Sequence, residues 1–262
     1  MTAKAIFITG GASGIGRAVA QHFAARGWFV GLADVNEAGM VETAAMLPPG
    51  MSSQHRLDVR DRAQWADALE RFANASGGRL DVLFNNAGIG LGGHFPDLAP
   101  EDADRMIAIN FNGVMNGIYM ALPLLKATPG SAILNTSSAA GIYGAAGLAV
   151  YSATKFAVRA LTEALDIEFD AYGIKVRSLM PSFIDTPLLD ATAAGTNQTS
   201  RQRVKAAGLE FTPVETVAEE AWNAVHGSRV HTVVGKTARQ MAFAARWMPG
   251  KLRQRYKRLR AE

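Results

Sequence analysis

The chain has no cysteine. That excludes a disulfide framework and any thiolate metal site. Its five histidines show no ligand spacing, so no metal site is expected on imidazoles. No run of 18 apolar residues occurs, and no membrane-spanning helix is expected. Repeats and low-complexity tracts are missing, and no linker-like composition divides the chain before residue 236. The N-terminal stretch runs straight into a strand pattern without a signal-peptide layout, so a cytoplasmic location is expected. What is present is a chain of 262 residues with 48% apolar and 19% charged residues. That supplies core enough for one large α/β domain or two small ones. The formal charge of +4 is unevenly placed. Residues 239–262 hold eight Lys/Arg against one acid, a net +7, which leaves the remainder at −3. The protein is a mildly acidic body with a basic tail.

Lys4 to Thr9 reads as a buried strand: short, apolar and bounded by glycine. Thr9-Gly10-Gly-Ala-Ser13-Gly14-Ile15-Gly16 follows, and a helical pattern begins at Arg17. Strand, glycine turn and helix form the context of a dinucleotide site, because glycines admit a pyrophosphate and the helix N-terminus offers free N–H groups. A tight turn without ligand is the alternative. Trp28 to Ala33 reads as the second strand, with Asp34 at its end. A carboxylate there accepts hydrogen bonds from ribose hydroxyls and repels a 2′-phosphate. No Lys or Arg stands at Ser13 or Val35 to receive that phosphate, so NAD is expected over NADP. Asp34 also suits a helix N-cap, a role compatible with the first. Strand three ends at Asp58-Val59, and strand four, Leu80 to Phe84, runs into Asn85-Asn86-Ala87-Gly88. Strands six and seven are expected over Ile174–Met180, ending at Pro181, and over His231–Gly235. This alternation predicts a single doubly wound, Rossmann-like domain with a parallel sheet of about seven strands. Ligands on such sheets lie beyond the strands' C-terminal ends. Pro100 to Lys126 reads as two helices or one bent helix, with Asn110 a polar interruption that implies an internal hydrogen bond or a kink. Thr186 to Phe211 lacks apolar periodicity and is long for a loop, which favours a lid.

Tyr151-Ser-Ala-Thr-Lys155 opens a long helical pattern, and positions four apart share a helix face. On its own such a pair is more often a chance feature of a solvated face. Its chemical use is that a fixed ammonium favours a phenolate. Bringing a tyrosine from about 10 to near 7 takes about 4 kcal/mol, expected from a partly desolvated ammonium together with a cofactor's positive charge.

Jointly, Thr9-Gly10, Gly14-Ile15-Gly16, Asp34, Asp58, Asn85-Asn86-Ala87-Gly88, Asn110, Ser138, Tyr151, Lys155 and Pro181 with Thr186 resemble the short, single-domain branch of the short-chain dehydrogenase/reductases over residues 4 to about 235. Ser137 is a rival to Ser138, with its spacing to Tyr151 wrong by one. The resemblance implies that Tyr151 is the acid/base, that Ser138 binds the substrate oxygen, and that Lys155 lowers the tyrosine pKa and binds the nicotinamide ribose. It implies that Asn110 helps hold a relay water. It places Gly10, Ser13, Gly14, Ile15, Gly16, Asp34, Asp58, Val59, Asn86, Ala87, Gly88, Pro181, Ile184 and Thr186 around NAD. It also implies a homodimer or homotetramer built on the helices of residues 101–127 and 151–172. Ser182 stands where the family commonly has glycine, a departure expected to tighten the backbone and reshape the pocket. The expected substrate is a small, apolar secondary alcohol or its ketone, since the lid carries Leu188, Leu189 and Leu209. No nucleic-acid partner is expected. The alternatives are a non-catalytic nucleotide-binding regulator and an NADP-dependent reductase.

Residues 236–262 read as a basic amphipathic tail. Met241, Ala245 and Met248 share one stripe, Pro249-Gly250 interrupts it, and Met248, Leu252, Tyr256 and Leu259 form the next. Packing within an oligomer, peripheral contact with an anionic membrane and a solvated end are the three readings.

Overall fold

The computed structural model describes residues 3–259. Arg260 to Glu262, and the side chains of Arg258 and Leu259, lie outside the described residues, so the last member of the tail's apolar stripe does too. In chain order the elements are β1 (Ala5–Thr9), α1 (Gly14–Ala24), β2 (Phe29–Asp34), α2 (Glu37–Ala45), β3 (Ser52–Arg56), α3 (Arg62–Ser76), β4 (Val82–Asn85), α4 (Pro100–Ile107), α5 (Gly113–Ala127), β5 (Ala132–Thr136), α6 (Ala149–Glu168), β6 (Lys175–Pro181), α7 (Ser200–Ala206), α8 (Val214–His226), β7 (His231–Val234), α9 (Lys236–Trp247) and α10 (Pro249–Leu259).

The strands form one seven-stranded sheet in the order β3-β2-β1-β4-β5-β6-β7, every pair parallel. This is the doubly wound, Rossmann-like sheet that alternating strand and helix patterns predict. The central strands are buried on both faces, so β1 and β4 are continuous apolar runs rather than alternating ones. One core layer packs α1 and α8 on the sheet around Phe23, Trp28 and Trp222, whose rings meet edge-on at 5.1–5.7 Å. The other packs α3, α5 and α6 around Trp65, Phe72 and Val158. The strand order reverses between β1 and β4, which opens a crevice at their C-terminal ends.

Two differences from the sequence reading, at β4 and at the lid, have physical causes, and the expected interruption at Asn110 takes a definite form. Leu80 and Asp81 precede β4 rather than opening it: Leu80 N–H donates to Thr128 Oγ1, and the Asp81 carboxylate takes Ala5 N–H and Arg79. Between α4 and α5 the helix continues through a π turn, Ala108–Asn112, centred on Asn110. The lid is also more ordered than its composition suggests. It contains a 3₁₀ turn, Pro187–Asp190, and α7, which Thr199 and Gln202 open with a capping box. Arg201 bonds Asp185, Asp190 (2.7 Å) and the Thr186 carbonyl (3.0 Å), so one guanidinium ties the start of the lid to α7.

Candidate active site

A cleft of about 520 Å³ runs across the C-terminal ends of the strands. Of the residues expected around a cofactor, Gly10, Ser13, Gly14, Ile15, Asp34, Asp58, Val59, Asn86, Ala87, Gly88, Pro181, Ile184 and Thr186 line it, as do Ser138, Tyr151 and Lys155. Gly16 and Asn110 stand behind the wall.

The β1–α1 turn is built to let a ligand's backbone approach. Gly10 and Gly14 have φ of +69° and +52°, and a Cβ on Gly16 would lie 2.0 Å from the Gly10 carbonyl oxygen. Ser13 makes no side-chain cap, and the first helical bond is Arg17 N–H to Ser13 O at 3.1 Å. The N–H groups before Arg17 therefore face the cleft mouth as an anion cradle. Asp34 receives Ala12 N–H at 3.1 Å on one oxygen and Asn36 N–H at 3.0 Å on the other. The cap of α2 itself belongs to Asn36, which accepts from Gly39 N–H at 3.1 Å. Asp34 thus keeps acceptor capacity toward the cleft, because a carboxylate has about four lone-pair sites. Asp58 is paired with Arg60 through bonds of 2.5–3.1 Å, and that pairing holds its carboxyl below the usual range. Asn86 spends its side chain on the scaffold: it donates to Thr9 O at 3.0 Å and accepts from Thr136 Oγ1 at 3.2 Å. Thr9 Oγ1 accepts from both Asn86 and Ala87 N–H at 3.0 Å, so the end of β4 is locked to the glycine turn. These residues fit a dinucleotide: a glycine-rich turn, a helix N-terminus with no side-chain cap and a carboxylate at the end of β2.

The rival serines separate cleanly. Ser137 donates to the Lys155 carbonyl at 2.9 Å and is buried, whereas Ser138 begins the turn Ala139–Gly141 and accepts from Ala140 N–H at 3.1 Å. The Ser138 hydroxyl keeps its proton for another acceptor. Helix α6 brings Tyr151 and Lys155 to the cleft one turn apart, as the spacing predicts. The Lys155 ammonium lies 5.6 Å from the centre of the Tyr151 ring and donates to Thr136 O at 2.8 Å.

The sequence expectation joined the ammonium to a cofactor's charge; in the chain by itself burial dominates this pair. Burial pushes the Tyr151 phenol above its usual value, with the Ser138 hydroxyl offsetting only part. Burial also lowers Lys155 to about 8. Desolvation penalises the charged form of both groups and outweighs what opposes it at the phenol. The protein chain alone does not hold the phenol near 7. Ser182 departs from expectation. Positive φ among the described residues is confined to glycine, so the serine is unstrained, and its hydroxyl meets Thr212 Oγ1 at 3.3 Å. Gly235 makes room for that contact, since a Cβ there would lie 2.5 Å from Ser182 Oγ.

Asn110 is fully buried. It accepts Ile89 N–H at 2.9 Å, donates to Ile89 O at 2.9 Å and donates to Thr154 Oγ1 at 3.3 Å. Its side chain braces the loop after β4 against α6. A Cβ on Gly88 would sit 3.2 Å from Asn110 Oδ1 and 3.7 Å from Lys155 Nζ, so glycine lets loop, π turn and lysine converge.

Residues 4–197 match the sequence profile of the short chain dehydrogenases. The chain belongs to the short-chain dehydrogenase/reductase family. Among curated members, it is 38% identical over 190 residues to a 2,5-dichloro-2,5-cyclohexadiene-1,4-diol dehydrogenase of Sphingobium indicum, covering 72% of this chain and 76% of that one. It is 32% identical over 244 residues to a meso-2,3-butanediol dehydrogenase of Serratia marcescens, covering 90% and 95%. A solved family member from Burkholderia phymatum in complex with NAD superposes with a TM-score of 0.85 at 27% identity, covering 97% of this chain and 95% of the other. This family member is an oxidoreductase of nicotinamide type, and its described residues contain no helix long and apolar enough to cross a membrane.

Cleft residues that sequence reasoning missed include Arg60, Ala145, Leu148, Thr237, Met241 and Tyr256. For the last two the only signal was membership of an apolar stripe at helical spacing, which says nothing of what the stripe covers.

Proposed function

We propose that this protein interconverts a secondary alcohol and its ketone, with NAD(H) preferred and a small apolar substrate. The observation that carries the reading is the convergence of the Ser138 hydroxyl, the Tyr151 phenol and the Lys155 ammonium on one cleft beside a glycine-lined cradle. The nicotinamide, when bound, supplies the acceptor or donor of hydride. Ser138 donates its free hydroxyl proton to the substrate oxygen and fixes it. In reduction the Tyr151 phenol gives that oxygen a proton; in oxidation the phenolate removes one. Lys155 holds the nicotinamide ribose and favours the phenolate, with the cofactor's charge adding to a shift that the chain by itself does not achieve. Asn110 positions the wall behind them through Ile89 and contributes to the proton relay. Gly10, Ser13, Gly14, Ile15 and Gly16 receive the pyrophosphate, while Asp34 accepts from the adenosine ribose and disfavours a 2′-phosphate. Asp58, Val59, Asn86, Ala87 and Gly88 flank the adenosine and the central cofactor, and Pro181, Ile184 and Thr186 the carboxamide. The diol and butanediol dehydrogenases among the relatives support alcohol oxidation as a direction the site can run.

The test is turnover of a diverse panel of alcohols and ketones with NAD(H), beside titrations of NADH and NADPH. Activity is expected, with tighter NADH binding. Tyr151→Phe should bind NADH like the unmodified protein and turn over about 100-fold more slowly. Tighter binding of NADPH would reverse the cofactor assignment, and a Tyr151→Phe variant within threefold of full turnover would remove the phenol from the chemistry.

A further inference from the structure

We propose that Tyr256, carried by the basic tail, is a specificity-determining residue that closes the substrate end of its own chain's cleft and selects an uncharged, apolar alcohol or ketone. The inference rests on the dehydrogenase reading above. Helix α9 lies against the turn Ala139–Gly141 that follows Ser138, and it gives Thr237 and Met241 to the cleft wall. Ala238 is fully buried under it. Helix α10 then doubles back, anchored by Leu252 at 9% exposure, and places Tyr256 in the wall as well. The Tyr256 ring stacks on Tyr143, with centroids 5.7 Å apart and planes 14° from parallel. Tyr143 belongs to the short segment between Ser138 and Tyr151, so the stack joins the tail to the chain linking the two reactive hydroxyls. The basic side chains of α10, Lys251, Arg253, Arg255 and Lys257, are exposed and none lines the cleft. The amphipathic pattern therefore resolves inward in part: Met241 and Tyr256 line the cleft and Leu252 is buried, while Met248 stays exposed and these four charges face water.

The charge inventory sets the substrate class. The charged residues lining the cleft are Asp34, Asp58, Arg60 and Lys155. The first three stand at or just beyond the ends of β2 and β3, and Lys155 is already directed at Thr136 O and Tyr151. Ala145, Leu148, Leu188, Met241 and Tyr256 offer the substrate end no ion partner. A charged substrate would lose hydration there without compensation, whereas an apolar body gains from burial.

Full-length Tyr256→Ala and Tyr256→Phe are to be compared with the unmodified enzyme on ketones of rising bulk, from acetone through cyclohexanone to 2-decalone. NADH affinity is read by fluorescence titration. Removal of the ring should raise KM for the bulky ketones about tenfold, the scale of one lost apolar contact, with kcat on acetone and NADH affinity held within twofold. Tyr256→Phe, which keeps the stack, should restore the unmodified KM series. If Tyr256→Ala melts early, Tyr143→Ala removes the stack from its other side and must give the same KM series. An active enzyme whose KM series is unchanged in these alanine variants, or a Tyr256→Phe variant that behaves like the alanine, overturns the inference alone. An unmodified enzyme inactive on the whole panel overturns the dehydrogenase reading and the inference with it.

Discussion

Lys155 shows how a functional residue works against the fold that holds it. The residue is 4% exposed, and burial lowers its pKa from the usual lysine value to about 8. In the unfolded chain the group titrates near 10.4. Between about pH 8 and 10.4 the unfolded state binds more protons, so this group makes stability rise with pH across that window. Below pH 8 the buried charge costs the native state up to about 3 kcal/mol, set against about 1 kcal/mol from its bond to Thr136 O. Lys155→Met should therefore melt no lower than the unmodified protein at pH 7, and its relative advantage should shrink from pH 8 to 10. Turnover should fall steeply all the same. Calorimetry at pH 7 and 9.5 checks the sign; a variant that melts well below the unmodified protein at pH 7 would contradict it. At this scale the shared face of Tyr151 and Lys155 was legible from spacing, because a helix converts a gap of four into a shared face, whereas Ser138 was picked out by the family resemblance. The upward displacement of the Tyr151 phenol was not legible. It depends on how much protein surrounds the ring, which the whole fold decides.

Among the elements, the central strands were legible as short apolar runs beside glycine turns, edge strand β3 is the polar run Ser52–Arg56, and the joint between α4 and α5 was legible from one misplaced asparagine. Helix α7 was hidden: its capping box, Thr199 and Gln202, opens the polar run Ser200–Ala206, of which only Val204 is buried. The packing of α5 on the sheet turns on one small residue. A Cβ on Gly117 would lie 2.4 Å from Asn85 Oδ1 and 2.8 Å from the Trp65 ring. Asn85 donates to Asn135 at 3.0 Å, and Asn135 to Thr162 at 3.0 Å, so a polar chain crosses from β4 through β5 to α6 directly beneath. Gly117→Ala would gain about 1 kcal/mol of helix propensity on an exposed site, but here overpacking of a buried one prevails. It should destabilise by about 1–3 kcal/mol in urea unfolding. A neutral or stabilising result would mean that α5 can lift off the sheet without cost.

For the whole molecule, the sheet order explains why residues as far apart in sequence as Gly10, Ser138 and Thr237 line one cleft: they all follow strands at the same edge. That much follows from alternating strands and helices. The destination of the tail does not, since a stripe at helical spacing fits a partner subunit, a bilayer or its own body equally well, and here Met241, Leu252 and Tyr256 lie on its own body. Phe243, Trp247 and Met248 of the tail stay 59%, 65% and 37% exposed, and a second uncovered group stands on α5 and α6. Tyr119 on α5 is 65% exposed, and Phe156 and Ile167 on α6 are 39% and 79% exposed. These are the two long helices on which a homodimer or homotetramer is expected, and large apolar side chains grouped on them call for cover. A stable interface of about 800 Å² per partner would bury them. Ile167→Glu then places a carboxylate in that interface, where an unpaired charge costs about 3 kcal/mol or more, over a hundredfold in dissociation constant. Sedimentation velocity at micromolar concentration should show a smaller species for Ile167→Glu. Val41→Glu, at an equally apolar but isolated position on α2 that is 58% exposed, should sediment like the unmodified protein. If the unmodified protein sediments as a monomer, or if Ile167→Glu leaves its size unchanged, α5 and α6 are not the assembly surface, and their exposed rings and aliphatics belong to some other contact.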